Sequence, residues 1–416
     1  MTSTGTAPRR ADRPVADPGP VPVRIRHSKG GGALGFFQTT GDVRAFTSAS
    51  LFQPGARVDV VTRFSATVGF RGSREAWRDL RGFAVKFLTD DGEYDLVGNN
   101  SPVFFLRDEA TFASLVVAHK MYRDGTVYDY DRLWDFWTTH PETAHQVAWL
   151  LSDRGIPRSW RHQDGFGSHT YQWVNAGGER FWVKYHLRTD QGIEYLTEEQ
   201  ADAIADTEVD HQRADLRAAI ERGEHPSWAL SVQVMPYEEA RTDAFNAFDL
   251  TKVWPKADHP LIEVGKLVLD RNPDDELAEI EQAAFAPSSF VPGIGPSPDP
   301  MLLSRVDAYW RFHQHRLMDG FASRAAVSFT AVDGGWDDDF ARRARIWDPD
   351  DDFRQAGDLV RRVLDDAARS RLRATVVSQL ADIVDPAIRE RALLFWDRID
   401  AAEGAAIRAQ VDPAVG

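Results

Sequence analysis

The stretch RVDAYWRFHQHR, residues 305 to 316, places one tyrosine among five basic side chains. Tyr309 stands with three arginines and two histidines in this span. Arginine near a phenol favours the phenolate through opposite-charge attraction and hydrogen bonding. A phenolate is a hard anionic metal ligand, and forming one requires no cysteine. The same residues also suit an amphipathic helix with one buried aromatic side chain, so this stretch alone leaves both interpretations open.

The chain of 416 residues contains no cysteine, which narrows the metal chemistry that it could support. Disulfides, thiolate-ligated haem, iron–sulfur clusters and cysteine-bound zinc all require that sulfur. A metal would therefore be held by histidine, tyrosine or carboxylate. His313 and His315 could form a metal pair on one strand face, although the flanking residues give this weak support, and the zinc-protease motif HExxH is absent.

A glycine-rich stretch, HSKGGGALG, has the spacing GxGxxG at Gly30, Gly32 and Gly35. A dinucleotide loop needs a strand before it, a helix after it and an acid about twenty residues later. The next residues, FFQTTGDVRAF, fit no βαβ unit, so we interpret the glycines as backbone that passes close to a flat group. His27 alone could be a structural histidine or a catalyst.

Two adjacent carboxamides, Asn99 and Asn100, stand between the run DLVG and the aromatic pair Phe104 and Phe105. Asparagine next to glycine is ordinary turn chemistry. The alternative is a polar donor at the rim of an aromatic pocket. These residues alone do not decide between the two.

Composition excludes several classes of protein. The formal net charge is −15, whereas affinity for nucleic acid comes mostly from clustered Lys and Arg. With 43% hydrophobic and 11% aromatic residues, the chain can bury a large core. No apolar run is long enough to span a bilayer, and the N-terminus lacks the apolar stretch of a signal peptide. We expect a cytoplasmic protein that binds neither nucleic acid nor membrane.

The apolar pattern predicts two blocks of strands with helices between them. From Arg57 onward, RVDVVTRF, GFAVKFL, EYDLV and PVFFL read as short strands separated by Gly or Asp-Gly turns. Helical periodicity follows between about residues 108 and 155. Strands then return as SHTYQWVN, RFWVKYHL, SWALSVQVMP and LIEVGKLVLD. This order predicts a closed or nearly closed antiparallel β-barrel with inserted helices.

The chain organisation follows from shifts in composition. We expect a disordered leader, a β-barrel segment with helical insertions, a Pro- and Ser-rich wrapping loop with the helix that carries Tyr309, and a C-terminal connection with a helical domain. These segments comprise residues 1–20, 21–270, 271–320 and 321–416.

The chain resembles the haem catalases, in particular the monofunctional kind whose haem is ligated through tyrosine. The similarity covers about residues 22 to 317, and the terminal helices also look like the helical domain of that family. It implies an α+β protein of catalase fold, with a closed antiparallel β-barrel, inserted helices, a wrapping loop and C-terminal helices. The motifs that carry it are RGFAVKF, DLVGNNSPVFFLRD, SDRGIP, GFGSHT, TDQGI, FDLTKVWP, VGKLVLDRNP and PGIGPSPDPML.

The resemblance assigns roles position by position. Tyr309 falls where the family has its axial iron ligand, and Arg305 matches the arginine that keeps this ligand as phenolate. His27 matches the distal catalytic histidine and Asn99 the catalytic carboxamide. Ser65 matches the hydroxyl that hydrogen-bonds the histidine. The implied cofactor is haem b, with its iron bound by Tyr309.

Further matches surround the implied haem. They comprise three arginines that pair with the propionates, two phenylalanines that line the distal pocket and one acid in the access channel. A planar guanidinium suits carboxylate pairing. These residues are Arg24, Arg63 and Arg316, Phe104 and Phe112, and Asp79.

Some positions depart from the family pattern. Arg26 replaces an apolar residue, Thr67 stands where a valine usually narrows the channel, and Trp310 follows the ligand in place of proline. We expect the first two to add polar and cationic surface, which would favour water or an anionic organic molecule. A nicotinamide cofactor is not expected, because Lys256 and Arg188 differ from the residues of catalases that bind one.

The expected function is decomposition of hydrogen peroxide, with peroxidase activity on small organic donors as a second activity. One alternative is a catalase-derived biosynthetic enzyme that uses peroxide to oxidise a specific metabolite. Another is a haem-binding protein without turnover, against which the intact pair of His27 and Asn99 argues. A homo-oligomer, either a dimer or a tetramer, is also expected.

Overall fold

The computed structural model describes residues 24, 26–119, 128–242, 245–317, 335–348 and 352–411. The strands in these ranges are β1 (Gly30–Thr39), β2 (Arg57–Ala66), β3 (Arg81–Thr89), β4 (Gly92–Asn99), β5 (Gly165–Phe166), β6 (Tyr171–Val174), β7 (Arg180–Thr189), β8 (Ser227–Pro236), β9 (Ile262–Arg271) and β10 (Ile294–Pro296). The helices are α1 (Phe112–Ala118), α2 (Tyr130–Thr139), α3 (Ala144–Leu151), α4 (Glu198–Thr207), α5 (His211–Glu221), α6 (Pro300–Leu317), α7 (Asp338–Arg343), α8 (Arg354–Asp358), α9 (Asp366–Ala381), α10 (Pro386–Ile399) and α11 (Ala401–Val411).

The strands form a closed antiparallel barrel, as predicted. Strands β1 to β4 pair in sequence, β5 and β6 both pair with β7, and β7, β8 and β9 lead back to β1. The β7–β8 pairing, from Phe181 opposite Pro236 to Thr189 opposite Trp228, closes the ring. Closure protects most strand edges of the barrel, while β4 joins β5 through the single pair Asn99 and Phe166.

Two predicted details of the strands are wrong. The segment PVFFL forms no strand, because Phe104 donates a single backbone hydrogen bond to Leu250 instead of joining a ladder. The glycine-rich stretch, in contrast, forms β1, which the apolar pattern did not indicate. A Cβ on Gly32 would lie 2.1 Å from the carbonyl oxygen of Thr62, so glycine lets β1 approach β2 closely.

The two faces of β2, β3 and β4 have different neighbours. Phe64, Phe83 and Leu96 point into the barrel, where they join one large apolar core. Successive side chains of a strand point to opposite faces. The outer face therefore carries Val61 and Val97, which pack against residues 280 to 285 of the wrapping segment and against Tyr309.

A second core joins the inserted helices to the C-terminal ones. Trp134 and Trp137 of α2 pack there with Leu372 of α9 and with Phe395 and Trp396 of α10. Of these helices, α2 and α9 line a common cavity with α6. In the described part of the chain, every helix is too short or too polar to cross a membrane.

Candidate active site

Three directly opposed residues of β2, β3 and β4 position polar side chains of the site. Gly82 of β3 lies opposite Ser65 of β2 on one side and opposite Asn99 of β4 on the other. Directly opposed residues of antiparallel strands present their side chains on the same face. A Cβ on Gly82 would lie 2.4 Å from Ser65 Oγ and 2.8 Å from His27 Nδ1, so glycine at this position makes room for both side chains.

His27 precedes β1 and lies next to Ser65 and Gly82. Its Nδ1 is 2.9 Å from Ser65 Oγ. Its φ of 54° is in the left-handed region, which non-glycine residues seldom adopt and which often marks a functional position. Burial, together with the charges of Arg63, Arg305 and nearby arginines, lowers the pKa of His27 to about 3. The imidazole is therefore neutral at physiological pH.

Asn99 ends β4 at the wall of the same space. It is 9% exposed, and no described residue hydrogen-bonds its carboxamide. Buried polar groups normally have a partner. An unpaired carboxamide beside His27 is therefore available to a bound molecule.

Tyr309 reaches the site from α6, and Arg305 lies one turn earlier on that helix. Arg305 Nη2 donates to Tyr309 Oη at 3.0 Å and to the carbonyl of Val97 at 3.2 Å. Burial alone would lower the pKa of Arg305, but Tyr309, Tyr171 and other neighbours outweigh burial and raise it. The guanidinium therefore stays charged and stabilises negative charge on the phenol oxygen.

Two residues that the sequence analysis did not assign hold Arg305 in place. His169 Nε2 lies 2.6 Å from Arg305 Nη1, and its Nδ1 lies 2.6 Å from Asp299 Oδ2. Burial lowers the pKa of His169 in spite of Asp299, so the ring is neutral. Its Nδ1–H then donates to Asp299 while Nε2 accepts from Arg305. Both residues lie in quoted motifs, GFGSHT and PGIGPSPDPML, which was the available signal.

A cavity of about 770 Å³ brings the predicted site residues together. Its volume is in the range of small-molecule and cofactor sites, about 300–1,000 Å³. The side chain of Arg316 lies outside the described residues, although its backbone is in α6. The other predicted residues all line the cavity: His27, Ser65, Asn99, Tyr309, Arg305, Arg24, Arg63, Phe104, Phe112 and Asp79.

The arginines expected at the haem propionates have a carboxylate among their partners. Arg63 donates from Nη2 to Glu281 Oε1 at 3.0 Å, and Arg24 Nε lies 3.6 Å from Glu281 Oε2. Arg24 also donates to the carbonyl of Ala283 at 2.8 Å. The two guanidiniums thus form a carboxylate-binding pair, and the sequence analysis did not single out Glu281.

The residues fit a haem. Tyr309 Oη, held by a charged guanidinium, supplies an oxygen ligand in the cavity, and Arg24 and Arg63 suit the carboxylates of such a group. Within the described ranges, no three His, Asp or Glu side chains are placed to hold a bare metal ion. His313 lies in α6 and not on a strand, and its Nε2 donates to the carbonyl oxygen of Phe285 at 2.8 Å.

The access residues only partly match their expected character. Thr67 lines the cavity, but its hydroxyl donates to the carbonyl of Leu80 at 2.7 Å and offers no free proton there. Arg26 is exposed at the cavity wall, as expected for added cationic surface. Asp79 is buried and accepts from the backbone of Val68 at 2.9 Å, and burial raises the pKa of its carboxyl.

Two family models match the chain. The model described as Catalase matches residues 17–324, and the model described as Catalase-related immune-responsive matches residues 347–411.

Curated relatives and solved structures give the same result. The chain is 52% identical to a catalase of Streptomyces coelicolor, over 76% of this chain and 65% of that protein. It is 42% identical to a bromoperoxidase-catalase of Streptomyces venezuelae, over 94% and 89%. The structure of a bacterial catalase matches with a TM-score of 0.86 and 37% identity, covering 96% of this chain and 88% of that one. Catalase A of Saccharomyces cerevisiae matches with a TM-score of 0.85 and 35% identity, covering 94% and 90%.

Proposed function

Because this chain belongs to the catalase family, we propose that it decomposes hydrogen peroxide to water and oxygen, using haem b bound through Tyr309. One observation carries the proposal. A single cavity contains the Tyr309 phenol with its charged Arg305, the neutral His27 paired with Ser65, and the unpaired Asn99 carboxamide. A ligand for iron and a base for peroxide are thereby placed in one space.

On the Tyr309 side, the protein would bind and tune the cofactor. The haem, once bound, would supply the redox-active iron. Arg305 would donate a hydrogen bond to the Tyr309 oxygen that binds iron, and the neutral His169, fixed by the Asp299 carboxylate, would orient the guanidinium. Arg24 and Arg63 would pair with the propionates, a role for which their shared carboxylate contact gives support.

On the His27 side, the protein would move a proton. With Nδ1–H donating to Ser65, the Nε2 lone pair of His27 can take a proton from one peroxide oxygen and deliver it to the other. Asn99 can donate a hydrogen bond to peroxide without adding charge. Two peroxide molecules then yield two waters and one oxygen molecule.

The test is a simultaneous measurement of oxygen and peroxide with the haem-loaded protein. We expect one oxygen molecule for every two peroxide molecules consumed, without any added donor. Peroxide consumption that requires an added phenolic donor and releases no oxygen would contradict the proposal and favour a peroxidase alone. Stable haem binding without consumption would favour the non-catalytic alternative.

We also propose peroxidase activity on small organic donors as a second function. The cavity extends well beyond His27 and is lined by aromatic side chains, among them Phe105, Phe112 and Trp137. One relative carries the name bromoperoxidase-catalase. Peroxide-dependent oxidation of a phenol, followed by absorbance, tests this function. The homo-oligomer, dimer or tetramer, stays a prediction that sedimentation velocity can test.

A further inference from the structure

The cavity continues from the site into a chamber formed by three helices. α2 contributes Tyr130, Leu133 and Trp137, spaced three and four residues apart on one helical face. The end of α1 contributes Leu115 together with His119, which follows that helix. α9 closes the chamber with one face of its own. We call this part of the cavity, lined by α1, α2 and α9, the outer chamber.

Two polar side chains of the outer chamber, His119 and Gln379, are uncharged and hydrogen-bonded to protein. His119 Nδ1 lies 2.9 Å from the carbonyl oxygen of Leu115, and its Nε2 accepts from Trp137 Nε1 at 3.3 Å. Burial lowers the pKa of His119 to about 4, so the ring carries no charge at neutral pH. Gln379 accepts from the indole of Trp134 at 3.2 Å. The interior therefore suits an uncharged aromatic ring.

The outer chamber opens to solvent between α4 and α9. The exposed residues at this mouth are Glu198, Glu199 and Asp202 of α4, and Arg371 with Ser378 of α9. Residues from both helices line the same cavity, so a molecule that enters here passes between them.

The charges at the mouth do not cancel. Glu198 pairs with Arg78, and Arg371 pairs with Asp153 at 2.6 Å. Among the described residues, Glu199 and Asp202 have no ion-pair partner. Acids in the first turn also stabilise α4 through its dipole, which accounts for Glu199 in part but not for the position of both acids at a cavity mouth.

The inner end of the cavity has the opposite sign. Arg24, Arg26, Arg63 and Arg305 line it near His27. Hydrogen peroxide is neutral and gains or loses little from this gradient. An anionic donor would be repelled at the mouth, whereas a neutral or cationic donor would not. The acids at the mouth thus oppose the preference for an anionic molecule that was expected from Arg26 alone.

We propose that the outer chamber binds a small phenol or aromatic amine that is neutral or cationic, and that Glu199 and Asp202 set this charge preference. The inference rests on the proposed peroxidase function. In the reaction, two donor molecules each lose one electron and one proton. One hydrogen peroxide takes up the two electrons and the two protons, its O–O bond breaks, and two waters form.

The test compares tyramine, which is cationic, with 4-hydroxyphenylacetate, which is anionic. The double variant Glu199→Gln with Asp202→Asn should lower the ratio of their kcat/KM values by about five- to ten-fold at low salt, since unit charges about 10 Å apart in water interact measurably and are screened by salt. Comparing one ratio between two proteins cancels differences in the intrinsic reactivity of the phenols.

A matched control removes two acids elsewhere. Asp90 and Asp91 are exposed in the β3–β4 turn and do not line the cavity. The double variant Asp90→Asn with Asp91→Asn should keep the parent ratio. If both double variants change the ratio equally, net charge rather than the mouth sets the preference, and the proposal is wrong.

Binding without turnover gives a second readout. Calorimetry without peroxide should show tyramine binding to the parent, with a Kd about three-fold higher in the Glu199→Gln and Asp202→Asn variant. Unchanged tyramine binding in that variant would overturn the proposal. Oxygen release without oxidation of either phenol would also overturn it and leave the peroxide decomposition standing, whereas absence of oxygen release would count against the proposed function itself.

Discussion

The inner and outer faces of β2, β3 and β4 are built from alternating residues of the same strands, yet they differ in chemistry. Phe64 and Phe83 on the inner face have ring centroids 4.7 Å apart in the barrel core. Ser65 and Asn99, each next to an inward-facing residue, point to the cavity instead. A shift of register by one residue would exchange the two sets. The core thus fixes the register that assembles the site.

The outer face also shows how a cavity can remain beside a well-packed barrel. Further along the same face, Lys86 and Asp95 form a buried ion pair, and Asp95 accepts from the backbone of Ala286. That contact fixes the wrapping segment on the barrel. Nearer the site, Gly82 has no side chain and Ala84 has only a methyl group, which leaves space for the cavity.

The largest expected effect comes from His27 on the outer side. His27→Ala should reduce the rate of oxygen release by about 10²–10⁴-fold, since this is the usual contribution of general acid–base catalysis. Stability should change little. The exposed His225, replaced by Asn, is the control and should keep the parent rate. Release at the parent rate by His27→Ala would remove its role as the base.

A change on the inner face should lower stability and leave the site intact, which is the reverse of the effect of His27→Ala. Phe64→Ala should lower the free energy of unfolding by about 3–5 kcal/mol, because a fully buried ring is lost and a cavity is left. Denaturant unfolding measures this loss, and the exposed Phe70→Ala is the control. A folded Phe64→Ala protein should still bind haem. Equal destabilisation by both variants would contradict the assignment of Phe64 to the core.

Acid should weaken the fold through four buried histidines. Burial lowers the pKa of His27 and His186 to about 3 and the pKa of His119 and His145 to about 4. Between pH 6.5 and these values the unfolded chain binds more protons than the native one, so stability falls as pH falls. The loss at pH 5 should reach up to about 2 kcal/mol for each histidine.

Unfolding free energies at pH 7 and pH 5 check this prediction. Equal stability at the two pH values would contradict the neutral, buried state of these rings. The rate of oxygen release should also show no inflection near pH 6.5, because His27 remains neutral there.

The smallest effect is expected at Ser65. Ser65→Ala removes one hydrogen bond to His27 and should slow oxygen release by about two- to ten-fold, as expected for about 0.5–1.5 kcal/mol. Ser65→Thr keeps the hydroxyl and should restore part of the rate. If Ser65→Ala matched His27→Ala, Ser65 would act on peroxide directly and not through the ring.

The sequence predicted the closed barrel and the site residues through long motifs. It could not predict that Asp299 and His169, 130 positions apart, meet beside Arg305, because this contact depends on the closed barrel and the wrapping segment. The contacts of Glu281 with Arg24 and Arg63 could not be predicted for the same reason. Strand β1 was missed because its glycines hide the alternation of apolar residues. The boundaries at residues 20, 270 and 320 stay predictions.

The most direct test of the proposal that Tyr309 binds the haem iron beside the outer face is the absorption spectrum of the haem-titrated Tyr309→Phe variant. We expect haem binding to be lost, or the spectrum to become that of a water-ligated haem. Tyr94→Phe is the matched control, because Tyr94 is a buried tyrosine on the inner face of β4 and should leave the parent spectrum unchanged. A Tyr309→Phe spectrum identical to that of the parent would contradict the assignment of Tyr309 as the iron ligand.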